Sequence, residues 1–327
     1  MSQTPRLCID GRAAQEFKVR GMVAQEVIDD LVSAGGEPEA SEWIERRRTV
    51  LLTHPGQVFS GQLKRFDTRH KIGNSPFTWL WERTFTQNAE LALFHRFRPL
   101  DKIGPGARCE TLTTVLPPSK GFPLFLPRKG NHRYVVPSRF DKKLLQKRYT
   151  LEDDQIIVMT PSIRRYVYHG PSVTRTPEGM ALVAVGKEEE SKFKKLSAVL
   201  KTVYPTLKLH PLRLKGKVDI APLAWAKLLS NSRVFFYLNA GVCDWATLAS
   251  EDIYWNVPTV YLDENRALDE LLPPSNLRLK SFLVNQPEIS ALERLTSTAR
   301  QTLDELGIFQ PLHAAKQYRE IYGSIMK

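Results

Sequence analysis

Two lysines follow the end of a predicted strand at a spacing suited to phosphate binding. In "VAVGKEEESKFKKL" (residues 183–196) the strand ends at Gly186 and Lys187, and Lys192 follows five residues later, at the start of a predicted helix. Ammonium groups beside a helix N-terminus can clamp a diphosphate, because the helix dipole and the free backbone N–H groups add to their positive field. A charged helix face, with residues 188–190 paired to residues 192–195, explains the same pattern and is the stronger explanation on this stretch alone.

A pair of carboxylates stands just ahead of a predicted buried strand. In "LASEDIYWNVPTVYLDE" (residues 248–264), Glu251 and Asp252 precede an apolar run that Pro258 opens. The ordinary explanation is a carboxylate near a helix N-terminus, where it complements the helix dipole. The alternative is an acceptor of hydrogen bonds from a ligand, and the residues alone favour the ordinary explanation.

Single histidines form a third group of candidates. His54 stands in "LLTHPG" and His95 in "ALFHRFRP", each in or after a predicted strand. Histidine titrates near neutral pH and can transfer protons, but a lone histidine at a strand end is more often a structural residue.

The elements that position these side chains alternate between strands and helices. Continuous apolar runs bounded by turn residues predict strands buried in a parallel sheet, and apolar residues at helical spacing predict helices. The alternation predicts an α/β fold. Strands are predicted within residues 6–13, 49–57, 109–121, 132–140, 154–162, 179–187 and 233–241, and helices within residues 24–36, 190–205, 223–232 and 289–307.

The length of 327 residues predicts two domains, because single cores stop growing near ~250 to 300 residues. The pattern of strands and helices restarts in the second half, and the join is expected within residues 151–168. Two doubly wound α/β units in tandem would place a ligand cleft between them, at the carboxyl ends of their strands.

The composition sets further bounds. A content of 42% hydrophobic and 25% charged residues is typical of a globular protein and excludes a disordered or collagen-like chain. Apolar runs fall short of the ~20 residues of a membrane helix, and residues 1–12 carry charges where a signal peptide has its apolar region, so a cytoplasmic protein is expected. Cys8, Cys109 and Cys243 are odd in number and far apart, which supports neither a disulfide nor a zinc site.

The net charge of +12 is concentrated in one segment, residues 118–148. Such a patch attracts an acidic acceptor or an anionic membrane face, although a solvated basic surface explains most of these side chains equally well. The segment lacks a recognised nucleic-acid-binding signature, which makes nucleic acid a less favoured partner. It holds nine basic residues against the single acid Asp141: Lys120, Arg128, Lys129, Arg133, Arg139, Lys142, Lys143, Lys147 and Arg148.

The order and spacing of these motifs resemble the nucleotide-sugar glycosyltransferases with two Rossmann-like domains (the GT-B architecture), particularly the large retaining group called family 4. Gly186, Lys187 and Lys192 fall on that group's Gly-Arg or Gly-Lys and the lysine that follows it. "NSRVFFYLNAG", Glu251 and "NVPTVYL" fall on its strand, its helix glutamate and its next strand. "CIDGRA…KVRGMVAQEVIDDL" looks like the opening strand, the glycine loop with Gly21, and the first helix. Residues 309–327 look like the closing helix.

The resemblance implies an α/β fold of two Rossmann-like doubly wound domains with an interdomain cleft and a C-terminal crossover helix. The acceptor-side domain would comprise residues 1–155, joined by the helix of residues 311–327, and the nucleotide-sugar-binding domain residues 156–310. Donor-binding residues would be Gly21 and Gly186, with Lys187 and Lys192 at the diphosphate. Glu251, at a helix N-terminus facing the cleft, would accept hydrogen bonds from two ribose hydroxyls. The donor is a substrate, and the resemblance implies neither a further cofactor nor a metal.

Two positions depart from the family pattern. The first of the family's two glutamates, which lies near the transferred sugar, falls on Cys243, and Asp244 stands beside it. Asp244 is therefore the catalytic candidate at this point. The family's histidine near the donor sugar falls on Leu116-Pro117, which leaves His95 as the other catalytic candidate.

The expected function is metal-independent transfer of a sugar from a nucleoside-diphosphate sugar to a hydroxyl acceptor, as in a hexosyltransferase. The first alternative is a protein of the same fold that has lost turnover and binds a nucleotide or a partner. The second is a basic nucleic-acid-binding module, which would bind with an affinity that falls steeply with salt. The expected location is the cytoplasm, or the inner face of a membrane as a peripheral protein.

Overall fold

The computed structural model describes residues 7–11, 49–53, 64–67, 91–104, 109–118, 121–127, 130–160, 163, 179–213, 222–239, 241, 243–245, 247–272, 277–310 and 313–326. The chain divides into two compact units. The first comprises Met1–Met159 and Leu312–Lys327, and the second comprises Thr160–Pro311. The predicted helix of residues 24–36, together with Gly21 and His54, lies outside the described residues.

The first unit is built on a seven-stranded sheet in which every described pairing is parallel. The strand order is β3-β2-β1-β4-β5-β6-β7. Strands β1 and β4 are buried along their whole length, as strands in the middle of a parallel sheet should be, although β4 contains His95, Arg96 and Arg98. The strands are β1 (Leu7–Asp10), β2 (Thr49–Thr53), β3 (Lys64–Asp67), β4 (Leu93–Pro99), β5 (Glu110–Leu116), β6 (His132–Val136) and β7 (Ile156–Val158).

The second unit has a four-stranded parallel sheet in the order β11-β10-β8-β9. Its strands are β8 (Met180–Val185), β9 (Lys208–Arg213), β10 (Ser232–Leu238) and β11 (Thr259–Tyr261). The α-helices among the described residues are α1 (Arg139–Tyr149), α2 (Glu190–Val203), α3 (Pro222–Ser230), α4 (Thr247–Tyr254), α5 (Leu279–Asn285), α6 (Ile289–Glu305) and α7 (His313–Ile325). Together the two sheets and these helices confirm the predicted α/β class.

Helix α2 shows why a charged sequence folds against this sheet. Leu196 and Leu200 are buried four residues apart, while Lys194 and Lys195 are exposed on the opposite side. One apolar stripe at helical spacing is enough to pack a helix whose remaining face is solvated.

The C-terminal helix α7 completes the core of the first unit. Tyr318 and Tyr322 are buried, and their hydroxyls are hydrogen-bonded to Thr114 Oγ1 and His95 Nδ1 at 2.5 and 2.7 Å. The closing helix therefore packs on β4 and β5, as the crossover expected from the sequence requires.

Strand β7 corrects one detail of the predicted organisation. Residues 156–158 were expected to open the second domain, but Tyr134, Val135 and Val136 of β6 pair with them in the first sheet. The apolar run "IIV" is equally suited to either sheet, so its pattern could not decide between them.

Each sheet contains a topological switch point, where successive connections turn to opposite sides of the first strand. In the first sheet this point lies between β1 and β4, and in the second between β8 and β10. Open α/β sheets bind ligands in the crevice outside the carboxyl ends of the strands at such points.

None of the described helices is long and apolar enough to cross a bilayer.

Candidate functional site

The switch point of the second sheet is formed around Gly186, directly after β8. Its backbone N–H donates to Leu238 O at the end of β10 (3.1 Å), which ties the two strand ends together. A β-carbon at this position would overlap the Glu189 carboxylate and lie 3.4 Å from Asn239 Oδ1. The absent side chain leaves a niche between the two strand ends, and the Glu189 carboxylate now lies in it.

Asparagine and aspartate side chains line the same edge. Asn239, one residue after β10, donates from Nδ2 to Asp244 Oδ2 (3.1 Å), and the Tyr237 hydroxyl donates to the same oxygen (2.9 Å). Asn265, after β11, donates from Nδ2 to Asn239 O (3.0 Å). Asn265 Oδ1 is buried and accepts no hydrogen bond from a described residue. The carboxyl edge therefore holds a carboxylate and two amide side chains that are linked through Asn239.

The turn that carries Asp244 has an unusual backbone. Cys243 is buried and adopts a φ of 55°, in the left-handed region that favours glycine. The cysteine side chain packs inside, and the next residue carries its carboxylate back to Asn239. Asp244 thus brings a carboxylate to the sheet edge one residue after Cys243.

Glu251 occupies a different place from the one predicted. Helix α4 begins at Thr247, so Glu251 lies in its second turn rather than at the helix N-terminus, and its side chain is buried. The neighbouring Asp252 is also buried and accepts a hydrogen bond from Thr259 Oγ1 (3.2 Å). Burial, with the Glu251 carboxylate beside it, raises the pKa of Asp252 well above its ordinary value. The ribose-binding role of Glu251 stays a prediction.

Lys192 lies in the first turn of α2, as predicted, but it is paired. Its Nζ is 2.8 Å from Glu264 Oε1, and the two side chains are 39% and 59% exposed. The Lys192 ammonium lowers the pKa of Glu264 through this hydrogen bond. Burial and the Glu188 carboxylate raise the pKa of Glu189, and Lys192 opposes that rise. Lys187 lies in a 3₁₀ turn between β8 and α2, and its side chain lies outside the described part of the structure.

The first unit has a buried ion pair at the corresponding edge. Asp10, the last residue of β1, accepts a hydrogen bond from Arg98 Nη2 of β4 at 3.3 Å. Both side chains are almost fully buried, at 0% and 8% exposure. The pair spans the switch point of the first sheet.

His95 lies away from that edge, in the interior of β4. It is fully buried, and its two ring nitrogens are hydrogen-bonded to Tyr322 Oη (2.7 Å) and Thr114 Oγ1 (2.8 Å). Burial lowers its pKa to about 3, which the Asp10 carboxylate only partly offsets. This geometry gives the predicted catalytic role no support, because both nitrogens are already engaged and the residue joins α7 to the sheet instead.

Several residues of these edges were missed from the sequence. Asn239 and Asn265 follow predicted strands, and polar residues at strand ends were a usable signal. Arg98 was a second usable sequence signal, because a charged residue in a buried strand needs a partner of opposite charge. Glu189 was read only as part of a charged helix face, because its approach to Gly186 depends on the turn between them.

Comparisons with known proteins agree with the fold. The chain matches no family model and no curated protein sequence. It is similar in structure to WaaG, a glycosyltransferase involved in lipopolysaccharide biosynthesis, with a TM-score of 0.59 and 11% identity over 96% of this chain and 99% of that one. It is also similar to a glycosyltransferase from Rickettsia africae, with a TM-score of 0.54 and 10% identity over 99% of each chain.

A third neighbour is the lipopolysaccharide outer core galactosyltransferase WaaB, with a TM-score of 0.54 and 10% identity over 97% of this chain and 99% of that one. The protein therefore has the GT-B fold of glycosyltransferases, as the sequence motifs predicted. Assignment to the retaining family 4 stays a prediction, because identities near 10% identify the fold alone.

Proposed function

We propose that the protein is a glycosyltransferase that moves a sugar from a nucleoside-diphosphate sugar to a hydroxyl acceptor. The observation that carries the proposal is the niche at Gly186, which lies at the switch point of the second sheet and directly before the 3₁₀ turn that leads into α2. Backbone N–H groups and the dipole of a helix N-terminus favour an anion there. A glycine lets a bulky diphosphate approach the backbone closely.

The exposed ion pair explains how the site could admit that diphosphate. Lys192 can exchange Glu264 for a phosphate at little loss of stability, since exposed ion pairs contribute only about 0 to 1 kcal/mol. The Glu189 carboxylate must leave the niche at the same time, because two anions would otherwise meet. Lys187 and Lys192 would then neutralise the charge of the leaving diphosphate, which makes a metal-independent reaction our proposal.

The remaining polar groups suit the sugar and the ribose. Transfer breaks the bond between the anomeric carbon and the phosphate oxygen, joins that carbon to the acceptor oxygen, and releases the acceptor proton. Asp244 is proposed to hold the sugar hydroxyls, with Asn239 fixing its orientation, and Asn265 Oδ1 offers a further acceptor. Glu251 is proposed to bind the ribose after a shift of α4, because its carboxylate is buried in the present structure.

Replacing the Asp244 carboxylate should separate turnover from binding. Asp244→Asn keeps the shape and the bond to Tyr237 can reorganise, so nucleoside-diphosphate affinity should change less than threefold while donor hydrolysis or transfer falls roughly 100-fold. The measurements are calorimetric binding of nucleoside diphosphates and turnover of a panel of nucleotide sugars. Asp304→Asn on the exposed face of α6 is the matched control and should behave as the unchanged protein.

Two results would count against the proposal. If no nucleoside diphosphate or nucleotide sugar binds, the donor site is wrong. If nucleotides bind but no donor is turned over by the unchanged protein, the second candidate function applies, a nucleotide-binding protein without transferase activity. The Glu189 carboxylate lies in the niche, and the Glu264 carboxylate is paired with Lys192. Both acids take up positions that a diphosphate would need, and this observation favours the second candidate.

A further inference from the structure

A short loop of the first unit exposes large apolar side chains. In residues 121–127, which we call the apolar loop, Leu124 is 97% exposed and Phe125 is 69% exposed, while the next residue, Leu126, is buried. Two adjacent apolar side chains in solvent forfeit the favourable free energy of burial. The loop therefore needs an external partner to recover it.

The loop is held by hydrogen bonds at both of its ends. The hydroxyl of Tyr149 donates to Pro123 O (2.9 Å) and the hydroxyl of Tyr134 donates to Pro127 O (2.7 Å). Both tyrosine side chains are buried in the unit. The two anchors tie the loop to the core on either side of the exposed residues Leu124 and Phe125.

Helix α1 presents a basic stripe beside this loop. Its buried residues Asp141, Leu145 and Tyr149 repeat every four residues and define the inward face. Lys143 and Lys147 are four residues apart, are exposed, and lie on the opposite face. We call these two residues the basic stripe. Like charges four residues apart repel, so the stripe gains from an anionic partner outside the helix.

Asp153, which follows α1, is paired with a face of the helix other than the basic stripe. Asp153 accepts hydrogen bonds from Lys142 and Gln146 and forms an ion pair with Lys142 at 2.8 Å. On the other flank, the Arg148 guanidinium lies over the Phe122 ring at 4.2 Å. The apolar loop is thus attached to α1 at Arg148, the residue after Lys147 of the basic stripe, and away from Asp153.

We propose that the apolar loop and the basic stripe together dock the protein onto an anionic lipid bilayer. Leu124 and Phe125 would enter the boundary between headgroups and acyl chains, and the basic stripe would contact anionic headgroups. This combination of apolar side chains flanked by lysine and arginine is what interfacial membrane binding requires. Phe140, which is 40% exposed on the same helix, adds a third apolar contact.

The size and charge of the surface favour a bilayer over a protein partner. A stable protein interface needs roughly 800 Å² from each partner, far more than two exposed side chains and one half-exposed ring can supply. A bilayer needs no matching shape and supplies both an apolar layer and a negative surface. The proposal is independent of any transferase activity.

Vesicle co-sedimentation of the full chain tests the proposal. Binding is compared between vesicles of phosphatidylcholine alone and vesicles with phosphatidylglycerol added, at low and at high salt. The protein should bind the anionic vesicles preferentially and lose affinity with salt. The variant Leu124→Ser with Phe125→Ser should lower the partition coefficient roughly 100-fold. The variant Lys143→Gln with Lys147→Gln should lower it roughly 30-fold at low salt.

Matched variants in the second unit provide the controls. Val284 and Leu306 are 73% and 63% exposed, so Val284→Ser with Leu306→Ser removes similar apolar surface elsewhere. Lys194→Gln with Lys195→Gln removes two exposed charges from α2. Both control variants should bind vesicles as the unchanged protein does.

Three outcomes would overturn the proposal. The first is equal binding by the loop, stripe and control variants, and the second is no binding to anionic vesicles. The third is binding of a soluble acidic polysaccharide that depends on Lys143 and Lys147 but not on Leu124 and Phe125, together with unaltered vesicle binding in the loop variant. Sedimentation velocity tests one more outcome that would overturn the proposal. If the unchanged protein self-associates but does not bind vesicles, and the loop variant no longer self-associates, the surface binds a second copy of the chain.

Discussion

Each unit has an ion pair near the switch point of its sheet, but the two pairs lie in opposite environments. Asp10 and Arg98 close the switch point of the first sheet inside the unit, whereas Lys192 and Glu264 lie beside the switch point of the second sheet in solvent. A buried pair whose partner is removed leaves a charge without compensation, while an exposed pair can exchange one partner for water or for a ligand. At the second sheet a bound anion can therefore replace Glu264 beside Lys192, whereas at the first sheet an anion cannot readily replace Asp10 beside Arg98.

The buried titratable groups of the two units differ in the direction of their pKa shifts. In the first unit, burial lowers the pKa of His95 and of His132 to about 3, so both are neutral in the folded protein. In the second unit, burial raises the pKa of Asp252, so its carboxyl group is protonated over a wider range. Acidification should therefore act in opposite directions through the two histidines and through Asp252.

Breaking the buried ion pair should produce the largest effect. Arg98→Met leaves Asp10 buried without this partner and should lower the free energy of unfolding of the first unit by about 3 to 5 kcal/mol. Lys192→Met, the matched change at the exposed pair, should lower it by less than about 1 kcal/mol. Urea unfolding followed by hydrogen exchange of peptides from β4 and from β8 measures each unit separately.

A double variant sharpens this test. Asp10→Asn combined with Arg98→Met removes both charges of this pair and should recover part of the lost stability, because the buried carboxylate that lost this partner is removed as well. Equal losses in the two single variants Arg98→Met and Lys192→Met would remove the proposed difference between the edges.

Acid should destabilise the first unit next most strongly. Each histidine is neutral in the folded state down to about pH 3 and takes up a proton in the unfolded state below about pH 6.5. Their stabilising contribution is therefore complete above pH 6.5 and is lost as the pH falls toward 3. By pH 5 the loss should be about 2 kcal/mol for each of His95 and His132.

Asp252 should respond in the other direction. Because its folded pKa is raised, its contribution is fully present below the unfolded value and is lost as the pH rises through the folded one. Protection factors of β5 and β10 peptides, corrected for intrinsic exchange, should diverge between pH 7 and pH 5. Parallel changes in the two units would contradict the assignment of these groups.

The smallest expected effect concerns the niche at Gly186. Glu189→Gln removes the negative charge that lies there and should raise nucleoside-diphosphate affinity roughly fivefold, the effect of about 1 kcal/mol between partly exposed charges. Glu188→Gln, one residue earlier and exposed, makes the same change in net charge outside the niche and should have a smaller effect. Isothermal titration with a nucleoside diphosphate decides, and equal gains in both variants would remove Glu189 from the site.

Much of the fold was predictable because its signals are local. The run "MALVAV" and the leucines of α2 predict a buried strand followed by a helix, and the structure has β8 and α2 there. The start of α4 was placed four residues too late, since the motif identified Glu251 but not the turn before it. The segment before the helix includes Cys243 in the left-handed conformation. A cysteine in the sequence does not predict that conformation.

The site was less predictable because its partners come from separate strands. Asn239, Asp244 and Asn265 meet only after β10 and β11 have paired. His95 shows the reverse difficulty, since its partner Tyr322 stands 227 residues away and converts a candidate catalyst into a structural residue. Residue type indicated possible chemistry, but long-range pairing decided which groups could perform it.

The distance between His95 and Tyr322 also determines the order in which the protein can be completed during synthesis. The first sheet lacks the two buried tyrosines of α7 until Tyr322 has left the ribosome. At ordinary translation speeds the 227 residues between the partners take roughly 10 to 45 s to make. The second unit can fold in that interval, so of the two units the one whose strands are made first is the last to acquire its complete core.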